Sequence, residues 1–266
     1  MGARSMCRRG PRRSSSAIGV IWLGARLLTP TSPTLNGAPE AVSDHIVNVA
    51  EFDFGITRLA GEFHQDWRNY ADTPSGMVHV WISELGEPRT EKVSLLLEDV
   101  RRILGSALSG ASLEVLWNAC APSACPSGLF GGGGRGWLLQ VEDIARTWLA
   151  ERPGFDCGVS GCRHAPLPGV FERWIKEAAL SGGLVQEGVS GPDFSAAWHE
   201  IAETVCPELA LRVAVRCLLS SNGSIPAHIY GEMDRQGAIY GYGDFLVSAV
   251  EYLVDTEPPE SPSQEL

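Results

Sequence analysis

The stretch Leu59-Ala60-Gly61-Glu62-Phe63-His64-Gln65-Asp66-Trp67 decides how the rest of the chain reads. Leu59, Phe63 and Trp67 recur at i, i+4 and i+8, a spacing that predicts a helix with all three on one buried face. His64, Gln65 and Asp66 then project around the margins of that face. One short segment thus supplies core anchors and a polar surface together. The competing reading of the three polar residues is a helix margin satisfied by local contacts.

Outward from this segment the chain is helical. Met77, Val78, Trp81, Ile82 and Leu85 form an apolar set that fits a second helix. Thr90 is placed to cap a third, in which Val93, Leu96, Leu97, Val100, Ile103, Leu104 and Ala107 repeat at three and four. A short helix at Leu113–Trp117 and another at Val141–Leu149 follow, the latter with Ile144, Ala145 and Trp148 turned inward. Trp67, Trp81, Trp117 and Trp148 read as core anchors of this bundle; exposed binding anchors are the other use of such rings.

A second helical block opens after Pro166 and Pro168. Phe171, Trp174, Ile175 and Ala178 share one helical face, and Phe194, Ala197, Trp198 and Ile201 share the next. Pro207 suits the first turn of a further helix, where its missing N–H breaks no bond. Leu209, Val213, Arg216, Cys217, Leu218 and Leu219 follow it. Beyond Ile225 the glycines at 231, 237, 241 and 243 interrupt the pattern, and Phe245, Val247, Val250, Leu253 and Val254 predict a C-terminal helix. The expected class is therefore all-α, a helical bundle followed by a second helical block. Residues 1–50 read as a disordered leader, 51–152 as the first domain, 153–167 as a loop or linker, 168–256 as the second domain and 257–266 as a disordered tail.

Charge separates the leader from the remainder. The first fifty residues carry six arginines against Glu40 and Asp44; from chain totals of 21 basic and 32 acidic residues, that leaves 15 basic and 30 acidic in 51–266. Such an excess argues against non-specific binding to nucleic acid or anionic membrane and favours a basic protein partner. A soluble protein kept apart from its neighbours by like charge is the plainer account. Arg4, Arg8, Arg9, Arg12 and Arg13 precede the apolar run Ala17–Gly24, which Arg26 interrupts. The run is too short to span a bilayer and lacks a clear small-residue cleavage site, so the expected compartment is the cytoplasm.

Reactive chemistry is weakly marked. Cys120, Cys125, Cys157, Cys162 and His164 include types that bind zinc, but both cysteine pairs have four intervening residues and lie in glycine- and proline-rich stretches. Unpaired thiols in a reducing compartment fit better, and no metal or cofactor is assigned. Gly131–Gly134 lacks the preceding strand and Lys-Ser/Thr pair of a phosphate loop and reads as a flexible surface loop. His64 and Asp66, at i and i+2, do not face each other on a helix. His79, His199 and His228 are isolated, and Asn222-Gly223-Ser224 matters as a glycosylation acceptor only on a secretory route. No catalytic residue is assigned.

Phe63-His64-Gln65-Asp66-Trp67, preceded by Leu59, resembles the signature near the start of small helical immunity proteins of bacterial contact-dependent growth inhibition systems. The downstream order of helices is also similar, over about residues 54–152. The resemblance implies a cytoplasmic antidote that binds the C-terminal domain of a cognate toxin and neutralises it by stoichiometric occlusion, without catalysis. It implies that Leu59, Phe63 and Trp67 support the fold, and that His64, Gln65 and Asp66 are the positions to test for partner contacts. A basic nuclease is the partner that the acidic balance fits, with no direct contact to nucleic acid or membrane. Arg68-Asn69 replaces the acidic continuation expected after Trp67, and residues 168–256 lie outside the match. A two-domain helical interaction or regulatory protein without a toxin partner is the alternative.

Overall fold

The signature segment is not one continuous helix. In the computed structural model, which describes residues 52–121, 132–152 and 166–255, helix α1 (Gly55–Gly61) ends with Glu62 as its C-cap. The Glu62 N–H donates to the Leu59 carbonyl and the Phe63 N–H to that of Ala60, three-residue bonds that tighten the chain out of the helix. A single 3₁₀ turn, Trp67–Asn69, follows. The burial expected from the spacing is nevertheless present: Leu59, Phe63 and Trp67 are 0%, 0% and 1% exposed. The Phe63 ring lies 5.4 Å from those of Trp67 and Trp117 and 5.7 Å from that of Trp137. The turn bends the chain around this aromatic cluster, so the residues converge without helical geometry between them.

Helix α2 (Pro74–Glu84) starts as its sequence dictates, with Thr73 Oγ1 accepting from the Gly76 N–H at 3.0 Å and proline at the first helical position. Helix α3 (Arg89–Gly105) follows a cis Glu87–Pro88 bond. Its N-cap is Pro88, and Thr90 sits inside the first turn, so the expected Thr90 cap is not formed. The helix also stops before Ala107, which is exposed. Helix α4 (Gly110–Cys120) is capped by Ser109 Oγ, which accepts from the Ser112 N–H. The glycine run is no loop where it is described: Gly132 is the left-handed N-cap of α5 (Gly133–Ala150), and Gly133 and Gly134 form its first turn. A Cβ at Gly134 would lie 2.8 Å from the Gly110 carbonyl oxygen and from Leu113 Cβ, so only glycine lets α5 approach α4 this closely.

The second block supplies α6 (Gly169–Leu180), α7 (Gly191–Thr204), α8 (Pro207–Ser221), α9 (Ala227–Tyr240) and α10 (Asp244–Ser248). Pro207 takes the expected first-turn position, and Asn222 ends α8 in the left-handed region at φ 53°. Gly231 and Gly237 lie inside α9 rather than breaking it. The expected C-terminal helix is shorter: α10 ends at Ser248, a 3₁₀ turn spans Glu251–Leu253, and Val254 makes an isolated parallel bridge to Ile225. Ten α-helices and no β-strand are present among the described residues.

The two blocks share one hydrophobic core. Helix α3 packs against α1 and α5, while α4 packs against α1, α5, α7 and α8. Helix α8 lies at the centre. Leu209, Leu211, Val213, Val215, Cys217 and Leu218 point in several directions around it and are all buried, the pattern of a helix enclosed on every side. Residues 153–165, most of the expected linker, lie outside the described residues. No helix among the described residues is long and apolar enough to cross a membrane.

The most deeply buried ion pair joins the blocks inside this core, with Arg102 and Glu208 forming a second, longer one at 3.9 Å between the same two helices. Arg212 of α8 donates to both carboxylate oxygens of Asp99 on α3, at 2.9 Å and 2.6 Å, with side chains 1% and 3% exposed. Asp99 Oδ2 also accepts from the Ile56 N–H at 3.0 Å, and Arg212 Nη1 donates to the Phe54 carbonyl at 3.0 Å. Burial opposes the Arg212 charge, but Asp99 beside it more than offsets this and holds the guanidinium well above its ordinary pKa. Gly55, at φ +63°, is required at this point, because a Cβ would run into the Asp99 carboxylate. Removing one partner leaves the other charged and buried. Arg212→Met or Asp99→Leu alone is expected to cost about 3–5 kcal/mol, read by denaturant unfolding. The double replacement is expected to recover most of that loss.

Candidate protein-interaction site

The polar half of the signature lies in the turn between α1 and the 3₁₀ turn. His64 is half-buried, whereas Gln65 and Asp66 are exposed. The turn is held by its own backbone: the Trp67 N–H donates to the His64 carbonyl at 3.0 Å and the Asn69 N–H to that of Asp66 at 2.9 Å. The Asp66 N–H also donates to His64 Nδ1 at 3.2 Å. The His64 ring meets the edge of Tyr70 at 5.9 Å, and Tyr70 is 57% exposed. The structure therefore brings the three candidates together on one surface turn, beside an exposed tyrosine that the sequence reading did not single out. Neither Gln65 nor Asp66 points its side chain at a fixed protein partner, so these two groups are available to another molecule.

A cleft of about 760 Å³ lies along the other side of the same chain segment. Asp53, Phe54, Gly55, Arg58 and Glu62 line it from the first segment, Trp81 and Glu84 from α2, Glu87 from the link between α2 and α3, Lys92 from the first turns of α3, and Arg216 from α8. At its border Phe52 and Phe245 stack in parallel with centroids 5.0 Å apart, and they are 57% and 50% exposed. Sequence periodicity places Phe245 on an apolar helical face; it does lie in α10, but its ring is half exposed and stacks on Phe52.

The charged groups of the cleft are unequally engaged. Arg58 pairs with Glu62 at 2.5 Å. Lys92 Nζ donates to the Gly86 and Glu87 carbonyls, and Arg216 Nε donates to the Cys120 carbonyl at 3.1 Å. Glu87 Oε2 accepts from the Arg89 N–H. Asp53 Oδ1 accepts from the Thr57 hydroxyl at 2.6 Å, while Oδ2 is shut off from solvent with no hydrogen-bond partner. Burial raises the Asp53 pKa above its ordinary value of 3.8, against the lowering effects of the Thr57 bond and the nearby Arg216, Arg212 and Arg58. Nothing in the sequence marked Asp53; its character comes from packing.

Other sequence candidates are placed differently. Trp67, Trp81 and Trp117 are buried, and Trp148 is half-buried beneath the Arg152 guanidinium. Cys120 lies 3.8 Å from Cys217, a neighbour 97 residues away that spacing did not reveal. Cys125, Cys157, Cys162 and His164 lie outside the described residues. Among the described residues no three His, Cys, Asp or Glu side chains are grouped to hold a metal ion. No family model, curated protein or solved structure matches the chain.

The two halves of the signature should respond to mutation differently. Phe63→Ala opens a cavity inside the aromatic cluster and is expected to cost about 3–5 kcal/mol. Gln65→Ala and Asp66→Ala are expected to stay within about 0.5 kcal/mol of the parent. Thermal or urea unfolding of the three variants measures the contrast.

Proposed function

We propose that the protein is an immunity-type inhibitor: it binds the C-terminal domain of a cognate toxin one to one, blocks access to the toxin's substrate, and catalyses no reaction itself. The observation that carries this reading is the division of the Phe63–Trp67 segment. Its aromatic members are sealed in the core, while Gln65 and Asp66 stand on an exposed turn. Gln65 and Asp66 thereby offer a partner two hydrogen-bonding groups on a turn that the buried anchors hold in place.

Surface charge supports the kind of partner. Among the described residues, exposed carboxylates outnumber exposed cations about two to one. Such a surface attracts a basic domain during encounter and repels polyanions, which suits a nuclease as the toxin and disfavours direct contact with nucleic acid or anionic membrane. The cytoplasm is the compartment in which such an antidote acts. The shared core of the two blocks supports a single rigid body presenting this surface, since association with a preorganised partner costs less ordering entropy.

The test is association of the full chain with the purified C-terminal domain of a toxin-like protein encoded beside it. The expected result is a tight one-to-one complex that weakens as salt rises, with Asp66→Lys slowing association. Truncating a charged group that becomes buried in the complex is expected to cost about 2–5 kcal/mol of binding. Salt-independent binding would remove the electrostatic account. Failure of two folded proteins to associate would overturn the pairing.

A further inference from the structure

The cleft beside α1 has a chemistry of its own. Its cations are already engaged at least in part, Arg58 by Glu62, Lys92 by two carbonyls and Arg216 by the Cys120 carbonyl. Its unused groups include two acceptors. Asp53 Oδ2 has no donor although it is buried. Glu84 is exposed, makes no ion pair, and is the last residue of α2. A carboxylate at that end adds to the negative pole of the helix instead of offsetting it, which is unfavourable unless a cation sits nearby. The parallel Phe52–Phe245 pair at the border exposes ring faces, and such faces attract guanidinium and ammonium groups. The Trp81 indole N–H, also buried without a partner, can take the carbonyl of a chain entering beside it. At about 760 Å³ the space exceeds one side chain and falls within the range of small-ligand sites.

We propose that this cleft receives a cationic side chain, arginine or lysine, carried on a segment of a basic polypeptide. The head group meets Glu84 with the Asp53 carboxyl beneath it, its stem lies against Phe52 and Phe245, and the adjoining backbone accepts from Trp81. The inference deepens the immunity reading by giving one point of contact a defined chemistry, and it relies on that reading only for who the partner is.

The probe is a capped pentapeptide with one arginine among glycines, titrated into the full ¹⁵N-labelled chain while the Trp81 indole signal is followed. A saturable shift is expected. Replacing arginine by citrulline, which keeps the shape and removes the charge, is expected to weaken binding about tenfold, as is Glu84→Gln, each a loss of one charge-assisted contact. Glu84 is exposed, so the variant keeps its fold, and the same spectrum verifies this. Equal binding of the citrulline peptide would overturn the proposal, as would an unchanged response in Glu84→Gln or no shift at millimolar peptide. Preference for a glutamate-bearing peptide would also overturn it, assigning the cleft instead to an anion through Arg216. If the toxin domain binds and the peptide does not, the cleft assignment falls while the immunity reading stands. The opposite result separates them the other way.

Discussion

The buried pair between Asp99 and Arg212 is the constraint on which the arrangement depends. It ties α3 to α8 across 113 residues of sequence and extends to the start of α1 through the Ile56 N–H and the Phe54 carbonyl. Such a pair adds little net stability compared with a well-packed apolar substitute, because both charges lose their hydration. Its effect is on uniqueness. Any other seating of α8 against α3 leaves a charge unpaired in the core, so the two helical blocks have one acceptable docking. Once that docking is set, α1 has one position, and with it the turn at its far end and the cleft along its side.

The candidate surface and the fold meet in that short first helix. Its N-terminal end carries Asp53 and the Gly55 turn, and its C-terminal end carries Glu62, which lines the cleft, and then the signature turn. The aromatic cluster around Phe63 holds the C-terminal end, and the Asp99–Arg212 network holds the N-terminal end. A surface fixed at both ends in this way can meet a partner without first being ordered, which favours tight association. In the proposed complex, the excess of exposed carboxylates would contribute mainly to encounter rate and to the choice of partner.

Much of this was legible in the sequence, for reasons that also explain the gaps. Apolar spacing reports which residues are buried, so Leu59, Phe63 and Trp67 and most helix faces were readable. Spacing does not report how the chain travels between them, so the turn after Gly61 was read as helix. Local signals also compete: Thr90 has the chemistry of a cap, but Pro88 already starts α3. The glycines at 132–134 read as a loop because their use is tertiary, admitting α5 close to α4. The ion pair left a trace. Asp99 interrupts the apolar run of α3, and Arg212 is a nearly inaccessible charge, with Glu208 a turn before it, in a helix whose other buried residues are apolar. Two opposite charges at core positions of separate helices are a pairing signal, though sequence order alone could not join them. Asp53 and the Phe52–Phe245 stack left none, since both arise where remote segments meet.

The most direct measurement is a titration of toxin activity. The catalytic rate of the C-terminal domain of any toxin-like protein encoded beside this chain is followed while the full chain is added in fixed increments. Stoichiometric occlusion predicts a straight fall to zero at one equivalent. Residual activity in excess inhibitor, or complete loss at a small fraction of an equivalent, would contradict the account, the latter by showing that the chain acts catalytically on its partner.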